Sequence, residues 1–109
     1  MATQIPPDRD AVRSFVPKMI EMTEKVVYGD VWEREALSKR DRSLVTVAAL
    51  VAMGRKRQLK GHVGRALDNG VTPEELSELI THLALYAGWP AAMTAALVAK
   101  DVVAERGAG

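Results

Sequence analysis

Apolar side chains return along this chain every three or four residues, and nowhere do they alternate in the manner of a half-buried strand. The spacing predicts five helices. The first is capped by Asp8, with Pro6 and Pro7 outside it, and runs through "AVRSFVPKMIEMTEKVV" to Tyr28 and Gly29. Pro17, in its middle, predicts a kink or a break, because proline lacks the amide proton a helix interior needs. "DVWERE" reads as a short connection whose Trp32 must find cover. Ser38 then caps a second helix, with Asp41 in its third position as a weak variant of the capping box. Leu44, Val45, Val47, Ala48, Leu50, Val51 and Ala52 fill most of its circumference, which predicts a buried central helix ended by Gly54.

A third helix spans 56–68, with a stripe of Leu59, Val63, Ala66 and Leu67, and Asn69-Gly70 stops it. Thr72, Pro73 and Glu75 give the fourth helix a full capping box with proline in the first helical position. Its stripe is Leu76, Leu79, Ile80, Leu83 and Ala87, and Gly88 stops it. Pro90 opens the last helix, "PAAMTAALVAKDVVAE", and "RGAG" reads as a frayed tail.

At 109 residues the chain is long enough for one core and too short for two. Aromatic residues are few, and the Ala, Leu and Val that make up the apolar mass suit closely packed helices. The net charge of +1 conceals an uneven distribution: residues 38–65 carry eight cations against Asp41 alone, while both flanking stretches are acidic. A basic middle points to an anionic ligand; pairing with the acidic ends or with a neighbouring subunit is the plainer reading. The 109 residues hold no cysteine, which removes disulfides, thiolate nucleophiles and thiol redox cycling. The opening "MATQIPPDRD" has no apolar run, and the longest apolar stretch is about half a membrane span. A soluble, cytoplasmic protein is expected.

Two histidines are the chain's neutral-pH proton carriers. His62 lies at the edge of the third helix's stripe, in line with Gln58 and Arg55; His82 lies at the matching edge of the fourth, followed at helical spacing by Tyr86 and Trp89. If these consecutive helices are antiparallel neighbours, the two imidazoles line one cleft with an apolar and a cationic wall. The alternative is that each is a half-buried histidine bonded to nearby backbone or a carboxylate. Metal binding lacks a third ligand at suitable spacing, and no glycine-rich phosphate loop or nucleophile elbow is present. A helix-turn-helix would lead with Glu74, Glu75 and Glu78, which phosphates repel.

The stretch from Asp30 to Val102 resembles the carboxymuconolactone decarboxylase family, related to the alkylhydroperoxidase D-like proteins. The resemblance rests on "GDVW", "LSKRDRSLVTVAAL", the histidine followed by "ALDNG", and "ELITHLALYAGWPAAM". It implies an all-α single domain of five to six helices over 30–105, a helical extension at 1–29 and a tail at 106–109. It also implies a trimer or hexamer with sites near subunit contacts. In the peroxidase branch two cysteines precede the histidine; Lys56 and Leu59 stand at those positions here, and Ser43 falls where the relay carboxylate would be. Thiol peroxidase chemistry is therefore excluded. The decarboxylase branch implies a cofactor-free lyase of aromatic-compound catabolism acting on a small carboxylated lactone, which delocalises the electrons left behind by carbon dioxide. Under that reading His62 protonates carbon, His82 donates to the enolate, Arg42 and then Arg55 hold carboxylates, and Trp32, Tyr86 and Trp89 wall the pocket. No cofactor, metal, nucleic acid or membrane is expected. An isomerase, cyclase or dehydratase on another small anionic carbonyl compound, or a non-catalytic helical oligomer that binds a partner or small acid, are the alternatives.

Overall fold

The structure, a computed structural model, describes residues 8–107, and among these every regular element is helical. Pro6, Pro7 and the last two residues of the expected tail lie outside the described residues. The chain divides into two compact units between Ala36 and Leu37.

In the first unit, Pro17 breaks the expected long helix rather than kinking it. Helix α1 spans Asp8–Val12 and α2 spans Pro17–Met22, with Pro17 in the first turn, where its missing amide proton costs nothing. The chain continues from α2 into a π-helical turn, Thr23–Tyr28, and after Gly29 into a 3-10 turn, Val31–Glu33. Arg13 pairs at 2.6 Å with both Asp10 and Glu24, linking α1 to the π-helical turn. The Trp32 ring stacks on Tyr28 with centroids 5.6 Å apart. The stacked pair lies within the first unit, which runs to Ala36.

The second unit is a four-helix bundle of α3 (Lys39–Met53), α4 (Lys56–Asp68), α5 (Pro73–Ala87) and α6 (Trp89–Glu105). Its ends are set locally. Ser38 Oγ accepts the Asp41 amide at 3.0 Å and starts α3. Gly54 closes α3 in the left-handed region at φ 70, and the Arg55 amide then reaches back to the Leu50 carbonyl at 2.9 Å. The capping box of α5 is complete: Glu75 donates its amide to Thr72 Oγ1 at 3.1 Å, and its carboxylate accepts the Thr72 amide at 2.9 Å. Gly88, at φ 103 and ψ 149, adopts a conformation open essentially to glycine alone, and lets α6 start at once, one residue before Pro90.

The core joins Val47 and Val51 of α3, Leu59, Val63 and Ala66 of α4, Leu76, Ile80 and Ala84 of α5, and Ala92, Ala95, Ala99 and Val102 of α6. Alanines on α6 let it lie close to α3, α4 and α5. Helix α4 packs on α3 and α6, and α5 packs on the same two helices, so α4 and α5 face each other diagonally. This corrects the expectation that consecutive α4 and α5 are packed neighbours. The four-residue link between them runs across the end of the bundle, and each buries its stripe against the α3–α6 pair instead.

Two further expectations change. Helix α3 touches the three other bundle helices, but Val45 and Met53 on its outer side are exposed, so part of its apolar circumference is left uncovered by this chain. The start of the expected frayed tail is engaged: Arg106 ion-pairs with Asp68. Its guanidinium crosses α4 at Gly64, where a β-carbon would come within 2.6 Å of Arg106 Nη2.

Candidate functional site

His62 sits on the seam between α4 and α3. Asn69, two helical turns later on the same side of α4, donates from Nδ2 to Ser43 Oγ of α3 at 3.0 Å, which fixes the direction this side faces. Ser43 is fully buried and is the only buried polar residue among those described. The imidazole is half-buried and its Nδ1 is sealed from solvent. Burial first, and the positive charge of Arg65 second, push His62 below its ordinary value of 6.5. The resting side chain is therefore a neutral imidazole at pH 7.

Arg65 is the cation His62 feels, three residues on along α4 and itself half-buried. The sequence points to Arg42 and Arg55 instead; the three-residue spacing of Arg65 from His62 is the signal that would find it. Arg55 precedes α4, exposed and two turns from His62. Arg42 is half-buried on α3, where its Nε donates to the Leu37 carbonyl at 3.0 Å, so part of its donor set serves the turn before the helix.

His82 belongs to a different part of the bundle. It lies along a groove of about 680 Å³ between α5 and α3, floored by Leu44, Ala48, Leu79 and Leu83. Its ring stacks on Tyr86 with centroids 4.8 Å apart. At the other end of this groove Arg40 pairs with Glu75. Thr72's backbone amide, and then Arg40, hold the Glu75 carboxyl below its ordinary value. Ser43 and Asn69 mark one flank of α3's buried stripe, and Leu44 and Ala48 mark the other. Within this chain the two histidines thus stand on opposite flanks of α3 and do not converge.

The aromatic candidates separate likewise. Tyr86 and Trp89 are 77% and 62% exposed, too open to wall a pocket within a single chain. Trp32 is 8% exposed and stacked on Tyr28 in the first unit. Among the described residues no cluster of three or more His, Cys, Asp or Glu is placed to hold a metal ion, and no helix is long and apolar enough to cross a membrane.

The family model described as the carboxymuconolactone decarboxylase family matches residues 17–101. The chain is 45% identical over 83 residues to the 4-carboxymuconolactone decarboxylase of Acinetobacter baylyi, covering 76% of this chain and 62% of that protein. It is 31% identical over 83 residues to the nitrosuccinic acid decarboxylase of Metarhizium robertsii, covering 76% of this chain and 58% of the relative. It is also 31% identical over 100 residues to an uncharacterized 15.0 kDa protein of Paracoccus denitrificans, covering 90% of this chain and 75% of the other. The chain thus spans about three fifths of the length of the two named decarboxylases. With its match extending over most of its length, the chain belongs to the carboxymuconolactone decarboxylase family.

Proposed function

We propose that this protein is a carboxy-lyase that needs no cofactor and removes carbon dioxide from a small carboxylated compound with a built-in electron sink. The observation that carries this reading is the 45% identity to a 4-carboxymuconolactone decarboxylase, over a stretch that includes His62 and its basic seam. Two relatives are named for substrates in which a carboxylate accompanies an electron-withdrawing group, a lactone in one and a nitro group in the other. In either, the electron pair freed as the carbon–carbon bond breaks moves onto oxygen, and a proton must then reach carbon.

His62 supplies that proton, a role worth roughly 10² to 10⁴ in rate. Arg42 and Arg55 hold carboxylates at the two ends of the seam. His82, Tyr86 and Trp89 act on the flank away from His62, so they reach a neighbour's seam only through a subunit contact. A trimer or hexamer supplies one. Trp89, Met93 and Leu97 leave an exposed stripe along α6 at four-residue spacing, and Leu85 and Tyr86 extend it onto α5.

Incubation with 4-carboxymuconolactone and, separately, with nitrosuccinate tests the reading by carbon dioxide release. Release from either supports it. Consumption without gas points to the isomerase or dehydratase alternative, and inertness toward both compounds overturns the enzymatic reading.

A further inference from the structure

Helices α5 and α6 leave a hollow of about 390 Å³ between them, apart from the seam that holds His62. Its floor is Leu76, Ile80 and Ala99, all buried, and Ala96 and Ala104 keep it open because their side chains end at the β-carbon. Lys100 is the only charged side chain that lines it. Ser77 and Thr81, one helical turn apart on α5, add two hydroxyls to its wall. A threonine inside a helix commonly donates to the carbonyl one turn back, as Thr23 does to Met19 at 2.9 Å and Thr46 to Arg42 at 2.8 Å. Among the described residues, Ser77 and Thr81 make no such bond and border the hollow instead. The hollow occupies the start of α5 and the end of α6, whereas exposed Leu85, Tyr86 and Trp89 gather around Gly88 at the opposite end of the pair.

We propose that this hollow binds a compact apolar monocarboxylate, its carboxylate held by Lys100 and the hydroxyls of Ser77 and Thr81, its apolar body laid on Leu76, Ile80 and Ala99. Three features select that class. Small-molecule sites are mostly apolar with a few convergent polar groups, and this volume lies at the small end of their range of about 300–1,000 Å³. A lone ammonium over apolar walls complements one negative charge, and a second carboxylate would be desolvated there with no second cation to meet it. Lys100 stands four residues from both Ala96 and Ala104, so about 6 Å of hollow runs along the helix on either side of it. That length accepts a six-membered ring or a short branched chain and stops a long alkyl tail. No residue of α3 or α4 lines the hollow, so a molecule bound there leaves the His62 seam open. The site is independent of the decarboxylase reading and stands whichever reaction the seam performs.

Benzoate is the probe, and benzylamine, which keeps the ring and exchanges the carboxylate for an ammonium, is the control. The backbone amide signals of Ser77, Thr81, Ala96 and Lys100 in NMR spectra are expected to shift and saturate with millimolar benzoate and to stay in place with benzylamine. Lys100→Gln is expected to weaken benzoate binding at least about tenfold, and Lys100→Arg, which keeps the charge, to retain it. Ala96→Leu, which fills the hollow from an exposed position, is expected to weaken it as well. His62→Gln is expected to leave the benzoate shifts at these four residues unchanged. Circular dichroism establishes that each variant is folded. Equal shifts with benzylamine, wild-type affinity in Lys100→Gln, or benzoate shifts confined to other parts of the chain overturn the proposal. So does the absence of any benzoate effect; if the four signals then vary with protein concentration, the hollow is a contact between copies of this chain instead.

Discussion

Asn69, at the end of α4, donates a 3.0 Å hydrogen bond to Ser43, the buried hydroxyl of α3. The bond fastens the seam two helical turns from His62. Ser43→Ala leaves the amide of Asn69 without this acceptor in a half-buried position, and a loss of about 1–2 kcal/mol in unfolding free energy is expected. Asn69→Ala is expected to cost a similar amount. The double variant should cost less than the sum, because the two changes remove one interaction. Urea unfolding of all four proteins checks this.

His62→Gln is expected to lower turnover of the carboxylated lactone at least about a hundredfold while leaving the helical spectrum unchanged. Its effect on stability has a definite sign. The unfolded chain binds a proton at His62 below about 6.5, whereas the folded protein resists doing so. His62 therefore destabilises the fold at acid pH. The melting temperature of the wild type relative to His62→Gln should rise as pH increases toward 6.5 and level off above it.

The capping box gives an opposite case. Glu75 is held below 4.5 in the folded protein, so its stabilising contribution is present above that value and lost as pH falls beneath it. The stability gap between wild type and Glu75→Gln should close between neutral and strongly acid pH. Thr72→Ala, which removes the cap itself, is expected to cost about 0.5–2 kcal/mol at neutral pH in a denaturant titration.

Two glycines should respond differently to alanine. At Gly88 the backbone conformation itself excludes a side chain, and Gly88→Ala is expected to cost about 1–3 kcal/mol. At Gly64 the added methyl meets only the far end of Arg106, which can swing aside. Gly64→Ala is expected to cost under about 1 kcal/mol, because the exposed Asp68–Arg106 pair it displaces contributes little. Thermal unfolding of the pair of variants separates the two causes.

Leu97→Glu places a charge in the exposed stripe of α6, where the monomer has room for it. Its melting behaviour at low protein concentration should match the wild type, while light scattering should report a smaller particle. Equal masses would remove α6 from the proposed subunit contact.

The sequence made the second unit's helix boundaries legible because they are decided within a few residues. Ser38, Thr72, Gly54 and Gly88 act through their own backbone and nearest amides, and each lies where the pattern put it. The order of the helices around the bundle was not legible. Stripes on α4 and α5 show that both have a buried side, but not that α6, through its alanines, comes between them. For that reason the placement of each histidine at the edge of a stripe was readable, while their supposed meeting was not. Arg106 escaped notice on similar grounds: its partner Asp68 is 38 residues away and the gap it fills is opened by Gly64.

Joining α5 to α6 through the single residue Gly88 ties two of the longest helices into one angled lever. Tyr86 and Trp89 ride on either side of the fulcrum, and His82 leans on Tyr86. Helix α6, which starts at this corner, touches every other helix of the bundle. A substitution that disturbs the α5–α6 corner therefore disturbs a helix on which the rest of the bundle is packed.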